Sequence, residues 1–242
     1  MSSSSIMSRS RRILKEKGIR GLLVKMWLRA DRARLKLLER YYTAQFHKIY
    51  YNKPDTVQGV HWFGTKVQKL PSDLWMYQEI IHETNPDVIV ETGTADGGSA
   101  MFFASLFDLR KRGEIVTIDI LPCKASHPRV TKLIGSSTDP SIVEKVKKMA
   151  DGKKALVILD SDHGMAHVLK EMESYAALVP IGGYMVVEDT NINGHPVDPL
   201  FGPGPMEAVR EFLKGRNDFV ADLRRERLLL TMHPGGWLKR VR

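Results

Sequence analysis

Residues 155–193, ALVILDSDHGMAHVLKEMESYAALVPIGGYMVVEDTNIN, constrain the fold more than any other stretch. Residues 155–159 are a short continuous apolar run, the pattern of a strand buried on both faces. The run stops at Asp160-Ser161-Asp162-His163. A helical period follows through Val168, Leu169, Met172, Tyr175 and Leu178, until Pro180 and Gly182-Gly183 break it. Residues 184–187 are a second buried strand, ending in Glu188-Asp189. Strand, helix and strand make a βαβ unit, whose strands are parallel neighbours joined by a right-handed crossover. Both strands then deliver carboxylates to the carboxyl edge of the sheet, where open α/β folds bind ligands.

Three carboxylates at one edge repel each other, and one of them is driven towards protonation. A hard dication such as Mg²⁺ removes that conflict, because it takes oxygen ligands and keeps waters that a substrate can displace. Any one of these acids, taken alone, also reads as a helix cap or a solvated strand end. As a set, Asp160, Glu188 and Asp189 are the candidate metal ligands.

Upstream, Pro71-Ser72-Asp73 reads as a helix start with Ser72 as its cap, and Leu74, Tyr77, Ile80 and Ile81 supply its apolar face. Asn85-Pro86 ends it. A strand over 87–91 opens the sheet and runs into Thr92-Gly93-Thr94-Ala95-Asp96-Gly97-Gly98-Ser99, followed by a helix over 100–109. Strand, glycine turn and helix expose backbone N–H groups at a helix N-terminus. The spacing is not that of dinucleotide folds, no Walker lysine is present, and Glu91 sits badly beside a pyrophosphate. A second strand over 114–119 ends in Asp119, placed to accept from ribose hydroxyls. A short strand over 132–134 leads into Gly135-Ser136-Ser137-Thr138, and Asp139-Pro140 starts a helix to Met149.

Beyond Glu188-Asp189, residues 190–205 are a polar loop with four prolines, carrying Asn191, Asn193, His195 and Asp198, a natural substrate wall. A helix over 206–214 and strands over 218–222 and 228–232 complete the reading. The fold class is therefore α/β: a doubly wound, mostly parallel Rossmann-like sheet with an antiparallel strand at one side. The expected division is a basic, helical or disordered extension over 1–40, an aromatic-rich arm and lid over 41–71, and one domain over 72–242.

Charge separates the extension from the rest. Residues 1–40 hold twelve Lys or Arg against three acids, an excess that accounts for the whole net charge of +9. Three partners suit this segment: the body or a second subunit, an anionic membrane surface, or nucleic acid. Nucleic acid fits least, because the sheet lacks basic and aromatic interleaving. Residues 22–28 are interrupted by Lys25 and no clean cleavage site follows, which argues against a secretory signal. A single cysteine, Cys123, excludes an intrachain disulfide and a cysteine zinc cluster and fits a reducing cytoplasm, with the inner membrane face as the alternative location.

The motifs ETGTADGGSA, GSSTDP, LDSDH, VVEDTNINGHP and FGPGPMEAV resemble, in the same order, the cephalosporin hydroxylase and rhamnosyl O-methyltransferase family of class I S-adenosylmethionine (SAM)-dependent methyltransferases. The likeness covers roughly residues 41–242. It implies that Glu91, Gly93, Thr94, Ala95, Gly97 and Ser99 wrap the methionine part of SAM. It also implies that Asp119 holds the ribose, that Ser136 and Ser137 lie near the adenine, and that Asp160 borders both cofactor and metal. Acids 28 and 29 residues after Asp160 match metal-dependent sugar and catechol O-methyltransferases, and His163 matches the proposed base of the sugar enzymes. The implied activity is Mg²⁺-dependent O-methylation of a sugar-like or vicinal-diol hydroxyl. Two other readings compete. One is an iron hydroxylase using Asp160, His163 and His195 as a facial triad. The other is a non-catalytic SAM fold at a membrane. Roles for Asp162 and His167 stay open.

Overall fold

The computed structural model describes residues 3–57 and 59–242, with side chains from Gly18 onward except Leu22 and Val57. The described residues fall into two compact units, Met1–Phe46 and His47–Arg242. Within the second unit, Val67 and Leu70 are buried.

In chain order the elements are α1 (Ser3–Tyr51), α2 (Pro54–Val57), β1 (His61–Trp62), β2 (Thr65–Lys66), α3 (Pro71–Thr84) and β3 (Val88–Thr92). Next come α4 (Gly98–Arg110), β4 (Glu114–Asp119), β5 (Val130–Ile134), α5 (Pro140–Ala150), β6 (Ala155–Leu159) and α6 (Met165–Tyr175). The chain ends with β7 (Tyr184–Val187), α7 (Pro205–Leu213), β8 (Phe219–Ala221) and β9 (Trp237–Arg240). Gly18 interrupts α1 with φ 62° and ψ −168°. No described helix is long and apolar enough to cross a membrane.

The main sheet has seven strands in the order β5-β4-β3-β6-β7-β9-β8. The first five are parallel, and β9 pairs antiparallel with both β7 and β8. This is the expected doubly wound, mostly parallel sheet with one antiparallel strand at its side: β9 alone runs against the other six. Strand residues alternate between two apolar layers. Val88, Val90, Val116, Val157 and Met185 pack with residues of α5, α6 and α7. Ile89, Ile115, Leu156, Ile158, Tyr184 and Val186 pack with residues of α3 and α4. Sheets covered on both faces read as continuous apolar runs, which is why β3, β6 and β7 stand out in the sequence.

Two local expectations are corrected. Residues 228–232 form no strand, because Trp237–Arg240 takes the place beside β7, with Trp237 fully buried. Ser72 does not cap α3. The helix begins at Pro71, and the Ser72 hydroxyl donates to the Leu230 carbonyl instead. Asp139 caps α5 as expected, accepting from the Ser141 N–H.

The strand order reverses between β3 and β6, the position at which such sheets bind ligands. Register sets what meets there. Thr92 lies opposite Leu159, and Leu159 opposite Val187. The glycine turn after β3, the Asp160 turn after β6 and Glu188-Asp189 after β7 are therefore side by side.

Candidate active site

A cavity of about 600 Å³ opens at this edge. Its lining includes Gly93, Ala95, Asp119, Ser136, Ser137, Asp160, His163 and Asp189. Of the expected site residues, Glu91, Thr94, Gly97, Ser99 and Glu188 do not line it.

Gly93 has φ +84°, and a Cβ there would lie 1.8 Å from the Asp160 carbonyl oxygen. Only glycine lets the two strand ends approach so closely. Gly93→Ala is expected to cost about 2–4 kcal/mol of stability from the clash and the strained φ. It should also weaken SAM binding by more than tenfold, because the cavity wall moves. Calorimetric titration with SAM, set beside urea unfolding, checks both.

Asp119, expected to hold the ribose, accepts hydrogen bonds within the protein. One oxygen accepts from the N–H groups of Thr94 and Ala95, both at 2.9 Å, and the other from Leu121 N–H. It ties the glycine turn to the end of β4 and keeps lone pairs facing the cavity. Glu91 is fully buried. Thr117 donates to its Oε2, whereas Oε1 has no partner among the described residues. Burial pushes its carboxyl up to about 7, against the pull of Lys69 and the Ser99 hydroxyl. An orphaned acceptor beside a glycine turn suits an ammonium or hydroxyl donor, which the methionine part of SAM carries.

Asp160, His163 and Asp189 form a group whose ligating atoms all lie within 4.8 Å of one another. His163 Nε2 is 3.3 Å from Asp189 Oδ2. Burial, then repulsion from Glu188, raises the Asp160 carboxyl to about 6. Burial, then Asp160, raises that of Asp189 as well. Two repelling, half-buried carboxylates with a third nearby fit a hard dication, and Asp160 and Asp189 are the oxygen donors that face the cavity. Asp189 holds φ +52°, a strained backbone of the kind that clusters at functional sites.

Glu188 lies outside that group. Its Oε1 accepts from Lys69 Nζ at 2.6 Å and from the Tyr77 hydroxyl. Lys69 also donates to Asp160 Oδ2 at 2.9 Å, and its side chain is only 2% exposed. Burial works against its charge, but Asp160, Glu188 and Glu91 more than offset this and hold the ammonium above its ordinary range. His233 stands on the other side. Its Nδ1 accepts from the Asp189 N–H at 3.2 Å, and its Nε2 lies 3.4 Å from Asp73 and 3.6 Å from Glu188. Burial lowers its pKa, against the pull of Asp73 and Asp189.

Sequence reasoning passed over Lys69, Tyr77 and His233 as site residues. Lysine is almost never fully buried unless paired, and no local pattern announced these partners.

Of three further residues, Asp162 and His167 also line the cavity and His195 does not. Asp162 closes its own turn by accepting from the Gly164 N–H. His167 bonds Ser137 and lies 3.5 Å from the buried Glu171. His195 bonds Glu207 at 2.8 Å and is not among the residues grouped with Asp160. The facial triad of Asp160, His163 and His195 does not assemble.

Glu207 is worth a measurement of its own. Burial alone would raise its pKa, but hydrogen bonds from Gly204 N–H, His195 and Asn193 pull it down to about 2 from 4.5. A depressed carboxylate stabilises above the unfolded pKa and loses that contribution as pH falls through the folded one. Glu207→Gln should therefore cost about 2 kcal/mol at neutral pH, discounted for partial exposure, and almost nothing near pH 2. Urea unfolding at both pH values reads the difference.

The sequence model of the Rhamnosyl O-methyltransferase/CmcI family matches residues 55–241. A rhamnosyl O-methyltransferase of Mycobacterium tuberculosis (strain ATCC 25618 / H37Rv) is 40% identical over 208 residues, covering 81% of this chain and 84% of that protein. The chain belongs to this family. Its Mycobacterium leprae relative of the same name is 38% identical, covering 81% of this chain and 89% of that protein. Among solved structures, CmcI described with Mg and SAM superposes with a TM-score of 0.60 at 22% identity, covering 76% of this chain and 78% of that one. An apo CmcI structure gives 0.58 at 21% identity, with 76% of each covered. These last two likenesses speak for the fold. As a Rhamnosyl O-methyltransferase/CmcI family member the chain is a SAM-dependent O-methyltransferase.

Proposed function

We propose that this enzyme transfers the methyl group of SAM to a hydroxyl of a rhamnosyl or related saccharide acceptor, one of a vicinal pair, with a divalent ion such as Mg²⁺ at the acidic edge. The observation that carries the reading is the placement of His163, Asp160 and Asp189 on the same cavity as Gly93 and Asp119. The mycobacterial relatives, named rhamnosyl O-methyltransferases and sharing 38–40% of residues, support the saccharide class.

When bound, SAM supplies an electrophilic methyl group, and the dication lowers the pKa of a neighbouring hydroxyl. The protein's residues do the rest. Asp160 and Asp189 hold the charge that fixes acceptor oxygens at the mouth of the donor site. His163 Nε2 takes the proton of the reacting hydroxyl, and Asp189 at 3.3 Å stabilises the imidazolium that results. Lys69 and His233 hold Asp160, Glu188 and Asp189 in place, so that little reorganisation is needed at the moment of transfer. The glycine turn positions the donor, and positioning of two reactants supplies a large share of the rate.

The test offers methyl-labelled SAM and a rhamnoside to the purified enzyme, with and without a chelator. Label on a sugar oxygen, lost with the chelator and restored by Mg²⁺, is the expected result. Transfer that ignores the chelator removes the metal from the reading. SAM binding with no labelled saccharide removes the acceptor class.

A further inference from the structure

The cations of α1 are not scattered. Arg29, Arg32, Lys36 and Arg40 follow one another at three, four and four residues, which places them on one ridge of the helix, and all four are exposed. Among the described residues no ion pair joins any of the four to an acid, whereas Arg34 pairs with Asp31. Beside the ridge runs an apolar stripe at matching helical spacing: Ile19, Leu23, Met26, Leu37 and Tyr41. Each is more than half exposed, Leu37 at 83%, and neighbouring Trp27 is 64% exposed. Ala30 and Ala33 continue the face between Met26 and Leu37, and an apolar stripe of this kind is unusual on a helix that faces only water.

We propose that this part of α1 lies along the surface of an anionic phospholipid bilayer. The apolar stripe enters the boundary of the acyl chains, and the ridge of Arg29, Arg32, Lys36 and Arg40 meets the phosphates. Trp27 and Tyr41 are amphipathic side chains of the type that settles at headgroup depth. Charge decides against the other occupants. Two copies of α1 packed along the stripe bring two cation ridges together, with only Asp31 and Glu39 to offset them. A nucleic acid satisfies the ridge and leaves the stripe in water. A bilayer with anionic headgroups satisfies both. This inference stands apart from the chemistry of the acidic edge.

Flotation of the full-length protein with vesicles tests it. Binding is expected to phosphatidylcholine vesicles carrying phosphatidylglycerol, with a blue shift in emission that Trp27→Phe removes, and not to phosphatidylcholine alone. Reversing three charges together, Arg29→Glu, Arg32→Glu and Lys36→Glu, should lower partitioning by about 100-fold or more. Leu23→Ser with Leu37→Ser should lower it too, while SAM binding stays as in the parent and so reports that the body is folded. The inference is overturned by absence of flotation on anionic vesicles. It is equally overturned by flotation that charge reversal leaves unchanged, or by duplex DNA binding or self-association in place of vesicle binding.

Discussion

Asp160→Asn is expected to lower methyl transfer by at least about a thousandfold while SAM binding stays within a few-fold of the parent. The carboxylate does two things that an amide of the same shape does not. It contributes negative charge to the group formed with His163 and Asp189, and it accepts from the buried Lys69 ammonium at 2.9 Å. On the proposed function, losing the charge would weaken the dication site, and with it the lowering of the acceptor hydroxyl's pKa, which is worth several kcal/mol in such chemistry. Donor binding is spared because Gly93 meets the backbone carbonyl of residue 160, not its side chain. The experiment pairs kinetics with two titrations, one with SAM and one with Mg²⁺. Loss of SAM affinity with normal metal uptake would reverse the assignment of Asp160 and Glu91 to their two ligands.

That residue was legible from the start, and the reason is geometric. β6 and β7 are covered on both faces, so they appear as unbroken apolar runs, and the first charge after each run marks where the strand leaves the sheet. Parallel pairing then forces those charges to one edge. The same logic found Glu91 and Asp119. It did not find how Glu188 is used, because a strand-end position fixes a Cα and not a rotamer. In the structure that carboxylate meets Lys69 from the segment before α3, Tyr77 from within α3 and His233 from the loop before β9. These partners stand 119, 111 and 45 residues away in sequence and share no periodic signal with it. The last strand failed for a related reason. Residues 228–232 carry the stronger apolar run, but Trp237 fills the space against Tyr77. Packing between distant elements chose the strand where local propensity pointed elsewhere.

Lys69→Met shows what the hidden partner contributes. In the parent, Asp160 and Glu188 converge on one buried ammonium at 2.9 and 2.6 Å, so the acidic edge carries its own counter-charge before any ion arrives. Methionine keeps much of the stem's volume and removes the charge, leaving two carboxylates facing each other beside Glu91. Breaking a buried ion pair from one side typically costs about 3–5 kcal/mol. The variant is therefore expected to lose stability of that order in the presence of a chelator. Added Mg²⁺ should recover much of the loss, because an ion that binds only the folded state stabilises it in proportion to its affinity and concentration. The parent should show a smaller metal effect, since Lys69 already offsets part of the repulsion. Thermal unfolding of both proteins, with chelator and across a Mg²⁺ series, measures the four corners of this cycle. Equal stability of parent and variant in chelator would mean that Lys69 is dispensable as a counter-charge. A loss that Mg²⁺ does not recover would place the lysine's partners away from the metal. In either case the acidic edge would have to be held together by the Tyr77 hydroxyl on Glu188 and by His233 on the Asp189 backbone N–H, contacts that orient these residues but do not cancel the carboxylates' charge.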